Sequence, residues 1–179
     1  MQIITGKYKG RKLYSTPKET TKPTLARVKE SLFCVIEGEI ENRVVLDLFA
    51  GSGALGIECV SRGAKKVYFC DIDKEALSYL NKNLKNITEE YSVFQGDYID
   101  AISNINEGID LVLLDPPFAS DYGEKAIYLL TSNNKLNDGA LIVFEHSAKK
   151  CLPSALKNCI IEKQKNYGSV SVSFIRYKK

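Results

Sequence analysis

The sequence predicts an α/β fold: a doubly wound, mostly parallel sheet that ends in an antiparallel hairpin and is preceded by a short basic β-hairpin extension. Three observations predict it. Five apolar runs, VVLDLF (44–49), KVYFCD (66–71), YSVFQ (91–95), IDLVLLD (109–115) and ALIVFE (140–145), alternate with helix-like segments near 54–62, 74–86, 97–104 and 122–131. The runs are continuously apolar rather than alternating, which marks strands buried on both faces between layers of helix. Beyond them, strand-like runs at 159–165 and 169–177 meet at a tight-turn candidate over 166–169, and so short a link permits only an antiparallel pair.

The bulk properties set the frame for these elements. A chain of 179 residues with 44% hydrophobic side chains fills one domain, 1–179, read as a basic extension over 1–23 and a core over 24–179. No apolar run approaches the roughly 20 residues of a membrane-spanning helix, and MQIITGKYKGRK lacks the apolar centre of a secretion signal, so the expectation is a soluble, cytoplasmic protein away from membranes. Five scattered cysteines and a lone His146 form no metal-ligand spacing, which leaves neither zinc nor a disulfide framework expected. A monomer is the expected state.

Two short strand-like pieces, 2–5 and 11–14, flank the glycines of the extension. Thr24 then caps a helix whose Leu25, Val28, Leu32, Val35 and Ile36 share one face. Residues 1–30 hold eight basic side chains (Lys7, Lys9, Arg11, Lys12, Lys18, Lys22, Arg27, Lys29) against Glu19 and Glu30, a net +6, while the rest of the chain is −3. Such an arm suits a polyanion, since each cation placed on a phosphate releases condensed counterions. The alternative is a solvated surface hairpin.

Right-handed crossovers bring the ends of the parallel strands to one edge of the sheet, the edge at which open α/β folds bind ligands. Asp47, Asp71, Asp97 and Asp115 lie at or just beyond those ends. Gly51, Gly53 and Gly56 have the GxGxxG spacing of a dinucleotide site, but a carboxylate four residues before Gly51 repels a pyrophosphate and attracts a cation. S-adenosyl-L-methionine, with an ammonium and a sulfonium, satisfies that charge. Asp71 would then accept from its ribose hydroxyls and Asp97 from its adenine amine. Alternatively these aspartates cap the helices that follow them.

Asp115, Pro116, Pro117 and Phe118 form a corner after a buried strand. Two prolines keep it extended and remove two N–H donors. The carboxylate and the freed carbonyls offer acceptors for an amine bearing two hydrogens, and Phe118 offers a stacking face for a base. In isolation the same tetrapeptide also reads as a loop carrying a buried phenylalanine.

LDLFAGSGALG, CDID, GDYID and DPPF, in this order, resemble the Rossmann-like class I S-adenosylmethionine-dependent methyltransferases that act on exocyclic amines. ITGKYKGRKLYSTP followed by KPTLARVKESLF resembles the N-terminal signature of the bacterial 16S ribosomal RNA guanine-966 N2 methyltransferase family. The likeness runs from Ile3 to the closing YGSVSVSFIRY. It implies cofactor contacts at Asp47, Phe49, Gly51, Gly53, Asp71, Ile72, Asp97 and Tyr98, a catalytic corner at Asp115–Phe118, and RNA contacts from Lys7, Lys9, Arg11, Lys12, Lys22 and Arg27, with 16S ribosomal RNA or the small ribosomal subunit as partner. The implied reaction is in-line attack of guanine N2 on the sulfonium methyl. Two positions depart from the family pattern: Tyr8 replaces an expected tryptophan, and Lys22 replaces an arginine whose planar fork could grip phosphate bidentately. Among rival readings, an adenine-N6 methyltransferase shares the corner but needs a recognition domain for which the chain has little room. A nicotinamide enzyme is disfavoured by Asp47, and a catalytically silent RNA-binding protein by the intact DPPF.

Overall fold

The computed structural model describes residues 1–17, 23–150, 152, 156 and 158–179, with only the backbone of Pro23, Thr24 and Leu25. The predicted alternation is present as α1 (Pro23–Val35), β1 (Val44–Asp47), α2 (Ala54–Ser61), β2 (Lys66–Asp71), α3 (Lys74–Leu84), β3 (Tyr91–Gln95), α4 (Tyr98–Asn104), β4 (Ile109–Leu114), α5 (Tyr122–Ser132), β5 (Leu136–Ser147), β6 (Cys159–Tyr167) and β7 (Val170–Tyr177). The strands form one sheet in the order β3-β2-β1-β4-β5-β7-β6. The first five are parallel, and β7 runs antiparallel to both β5 and β6.

Strand side chains point alternately to two apolar layers, as the period of two requires. Val45, Val67, Leu113, Val143 and Phe174 pack with α1, α2 and α3, while Leu46, Val112, Ile142, Phe144 and Ile175 pack with α4 and α5. On α1 the buried apolar residues are Val28, Leu32 and Phe33, with Ile36 just past its end, so Phe33 joins the expected face; the side chains of Thr24 and Leu25 lie outside the described residues.

Three elements differ from expectation. β3 lies at the edge of the sheet with Tyr91 and Val93 exposed, so its apolar run marks an edge strand and not one buried on both sides. β5 begins at Leu136, four residues early, because Leu136 pairs with Ile109 ahead of a register shift in which β5 carries the extra residues, Gly139 among them at the left-handed φ of +77°. The extension forms one antiparallel bridge, Gln2 to Lys12, in place of two strands.

The cause of that last difference is where the backbone N–H groups go. Ile4 N and Thr5 N donate to the Glu58 carboxylate at 2.8 and 3.0 Å, and Lys7 N donates to the Ser61 carbonyl at 2.8 Å. Donors that would have built a ladder dock the arm on α2 instead. Gly6 permits the approach: at φ +87°, a Cβ there would lie 1.8 Å from the Ser61 carbonyl oxygen. Ile3 and Leu13 are buried in the core layer of α1 and α2.

Glu58 is fully buried and also meets Lys29 Nζ at 3.0 Å and Arg62 Nε at 2.9 Å. Burial raises its carboxyl value, but Lys29, the arm amides and Arg62 outweigh that and hold it below the usual range. Burial likewise brings the Lys29 ammonium below its usual value despite Glu58. Glu89 forms a second tether, accepting from Lys7 Nζ and Tyr8 Oη, both at 2.6 Å; these bonds overcome burial and bring Glu89 down to about 2.

Replacing Glu58 by alanine leaves Lys29 buried without its countercharge, and urea denaturation is expected to show a loss of about 3–5 kcal/mol. The folded values of Glu58 and Glu89 lie below 4.5, so their contribution is complete above that pH and falls away as pH drops through the depressed values. Protease cleavage of the arm, assayed with an acid-active protease, should therefore accelerate on acidification in wild type and be fast at every pH in Glu58→Ala.

Candidate active site

A cleft of about 760 Å³ opens along the C-terminal edge of the parallel strands. Each strand delivers its last residues to it: Leu48, Phe49 and Gly51 after β1, Cys70 to Ile72 from β2, Gly96 to Tyr98 after β3, Asp115 to Phe118 after β4, and Glu145 from β5. The turn between β6 and β7 adds Ser169 and Val170, and α1 adds Val28. A smaller annex of about 90 Å³, lined in part by Asp47, Ser52, Asp115 and Glu145, lies behind the glycine turn.

The charge of the cleft is one-sided. Asp71, Asp97, Asp115 and Glu145 line it, and no Lys, Arg or His does among the described residues. Nor do any three His, Cys, Asp or Glu side chains of the described residues converge as metal ligands would. Such a cavity suits a cationic ligand and opposes a pyrophosphate. Its volume is in the range of small-molecule sites, roughly 300–1,000 Å³. One wall is aromatic: Phe49 and Tyr122 stack at 6.5 Å and 9° between planes, and Tyr98 lies 5.6 Å from Phe49 and 5.5 Å from Tyr122.

The aspartates also brace the backbone around them. Asp71 Oδ2 accepts from Gly51 N at 2.7 Å and its Oδ1 accepts from Asp73 N at 2.8 Å, so Asp71 ties the glycine turn to the end of β2. Asp47 is buried and accepts from Gly56 N at 2.8 Å. Asp97 caps α4 through Ile99 N at 2.8 Å while lining the cleft, so its two readings are compatible. Asp73, rather than Asp71, caps α3.

The glycines divide their work differently from the sequence reading. Gly51, at φ +54°, lines the cleft. Gly53 lines neither the cleft nor the annex; a Cβ there would lie 2.3 Å from Leu80. At Gly56 a Cβ would lie 2.3 Å from Phe69 and 2.8 Å from the Asp47 carboxylate. Both are small because α2 packs close to its neighbours.

At the corner, Pro116 is buried, and Pro117 and Phe118 are exposed. The Pro117 carbonyl accepts from Ser120 N at 2.9 Å and Ser120 Oγ at 2.6 Å, closing the turn. Of the two proline carbonyls, that of Pro117 is thus committed to the loop. Ile72 is 70% exposed beside the cleft.

Several contributors escaped the sequence reading, among them Tyr122 of the aromatic wall, Glu145 and Asn83. Glu145 lies two residues before the end of β5, close to the edge that the aspartates reach, a signal present in ALIVFE. Asn83, inside α3, carried no signal. It is buried, and its Nδ2 donates to Tyr14 O at 2.7 Å and to Ser52 O at 2.9 Å while its Oδ1 accepts from Tyr14 N at 2.8 Å. One amide therefore holds the arm and the glycine turn together. Arg11 Nη2 reinforces it from outside, donating to the carbonyls of Asn83 at 2.7 Å and Lys85 at 2.8 Å.

Of the other proposed RNA contacts, Lys7 is bound to Glu89 and Thr88. Lys9, Lys12 and Arg27 are exposed, and Lys22 lies outside the described residues. Lys29, counted among the arm's cations, is buried against Glu58.

Residues 1–176 match the family described as conserved hypothetical protein 95. The chain is 40% identical over 176 residues to ribosomal RNA small subunit methyltransferase D of Haemophilus influenzae, covering 96% of this chain and 91% of that one. It is 33% identical over 172 residues to the protein of the same description from Escherichia coli, covering 96% and 87%. A solved Escherichia coli structure provisionally described as a methyltransferase superposes with a TM-score of 0.89 at 31% identity, over 99% of this chain and 98% of that one.

Asn83→Leu keeps the volume but leaves Tyr14 and Ser52 without their buried partner. Denaturation should show a loss of about 2–4 kcal/mol, from three hydrogen bonds at about 1 each. Amide hydrogen exchange in the folded protein should quicken at Tyr14 first.

Proposed function

We propose, since the chain belongs to the ribosomal RNA small subunit methyltransferase D family, that it methylates the exocyclic N2 amine of a guanine in 16S ribosomal RNA, guanine 966, using S-adenosyl-L-methionine in the cytoplasm. The observation that carries the reading is the charge of the cleft: four carboxylates and no basic side chain among the described residues, at the strand edge where this fold binds ligands.

When bound, S-adenosyl-L-methionine supplies an electrophilic methyl group on a sulfonium. The residues present fit it. Carboxylates complement its two cationic centres, with Asp47 at the annex and Glu145 shared by annex and cleft. Asp71 and Asp97 line the cleft at successive strand ends, where they can accept from ribose and adenine, and Ile72, Phe49 and Tyr98 offer apolar surface to the purine. Gly51 keeps the turn free of side chains at the point of closest approach.

The corner handles the acceptor. Asp115 and the Pro116 carbonyl take the two amine hydrogens, while the Pro117 carbonyl stays with Ser120 and fixes the turn. Holding the amine this way favours a less planar, more nucleophilic nitrogen, and orientation alone can lower a barrier by about 7–11 kcal/mol. Phe118, 39% exposed at the mouth, gives the extruded base a face to stack on. The exposure of Lys9, Lys12 and Arg27 supports contacts from them to phosphates.

The test is to incubate the protein with labelled S-adenosyl-L-methionine and 16S ribosomal RNA from a strain lacking its gene, then map the methylated nucleoside. N2-methylguanosine at one site is expected; N6-methyladenosine would overturn the reading. Asp115→Ala should abolish most turnover while cofactor affinity by calorimetry stays within about twofold. Asp71→Ala should weaken cofactor binding by about 1.5–3 kcal/mol, the worth of one or two charge-assisted hydrogen bonds.

A further inference from the structure

Residues 149–179 carry eight basic side chains against one acidic, Glu162, a net +7 that slightly exceeds the +6 of residues 1–30, so the 118 residues between them are −10. The chain is basic at both ends, and the fold brings the two together. β6 is the sheet's outer strand, and β7 runs back from it beside β5. Lys163, Lys165 and Tyr167 pair with Phe174, Val172 and Val170, so they share the face on which α1 and the arm pack.

Contacts join the segments. Lys165 Nζ donates to Ser31 Oγ on α1 at 3.3 Å, and the Ser31 and Tyr167 hydroxyls hydrogen-bond to each other. Arg27 lies one turn before Ser31 on α1 and is exposed. Farther along, Lys12 of the arm lines a groove with Ala26 and Glu30 of the same helix. A basic strip therefore crosses α1 from Lys12 through Arg27 to Lys165 and Lys163, with Glu30 the acidic residue beside it. Val28 of α1 and Ser169 and Val170 of the hairpin line the cleft, so the strip borders its mouth.

We infer that the β6–β7 hairpin is a second RNA-binding element: the substrate strand lies across α1, gripped by the arm on one side and by Lys163 and Lys165 on the other. The inference rests on the proposed RNA substrate. Two grips on either side of the mouth fix the strand's direction over the corner, which neither grip alone does.

The experiment compares two charge-matched double variants. Lys163→Gln with Lys165→Gln removes two cations from the strip. Lys178→Gln with Lys179→Gln removes two exposed cations at the far end of β7, where Lys178 N bonds Asn158 O at 2.8 Å. Binding of 16S ribosomal RNA is measured over a salt series, with S-adenosylhomocysteine affinity as the check on folding. The first variant should flatten the log–log slope by about 1.4 and weaken binding by roughly 20-fold at 0.1 M salt, at about 0.7 per phosphate. The second should stay within about twofold, and both should bind S-adenosylhomocysteine as wild type does. Equal losses in both variants, or none in the first, would overturn the inference. Failure of the wild type to methylate the RNA would instead sink the functional reading.

Discussion

The carboxylate of Glu58 is the point on which three separate parts of the chain depend. It sits in α2, fully buried, and receives two amides from the arm, an ammonium from α1 and a guanidinium from one turn farther along. A buried carboxylate is costly without partners and gains most when its lone pairs are filled by hydrogen bonds to charged groups. Here the partners come from three segments that share no secondary structure, so satisfying one acid fixes where arm, α1 and α2 lie relative to one another. The cleft wall formed by Val28 of α1 follows from that arrangement.

A parallel sheet then converts position along the chain into position around a ligand. Every strand from β1 to β5 ends at the same edge, and four of the five bring a carboxylate there directly or within two residues. β1's own Asp47 is turned inward to hold Gly56 and reaches the annex. Like charges in one cavity destabilise it, which the backbone donors on Asp71 and Asp97 partly offset. The site thereby carries a standing bias toward cations before any ligand arrives.

The parts of this design visible in the sequence are those set by local pattern. Continuous apolar runs, helix spacing and the short link between β6 and β7 sufficed for the parallel core and the closing hairpin, and acidic strand ends for most of the cleft. What stayed hidden depends on residues far apart in the chain. Lys29 reads as one more cation in a basic arm because nothing near it announces Glu58, twenty-nine residues on. Asn83 reads as an ordinary polar residue in a helix. Gly53 and Gly56 read as a ligand turn, whereas Leu80 and Phe69 dictate their size. The arm's strands failed to form for the same reason: their amides had better acceptors on α2.

The position of β7 has a consequence for synthesis. It is made after every other strand, yet it lies inside the sheet, between β5 and β6, and its leading residue forms part of the cleft wall. Until it inserts, β5 presents an open edge and the cleft lacks one side. A nascent chain that has already folded β1 to β4 and displays the DPPF corner is therefore still incomplete, and pairing of low sequence separation between β6 and β7 is what completes it quickly. Completion of the cleft therefore waits on that hairpin, and a chain halted before β7 would carry its acidic strand ends at a site still missing one wall.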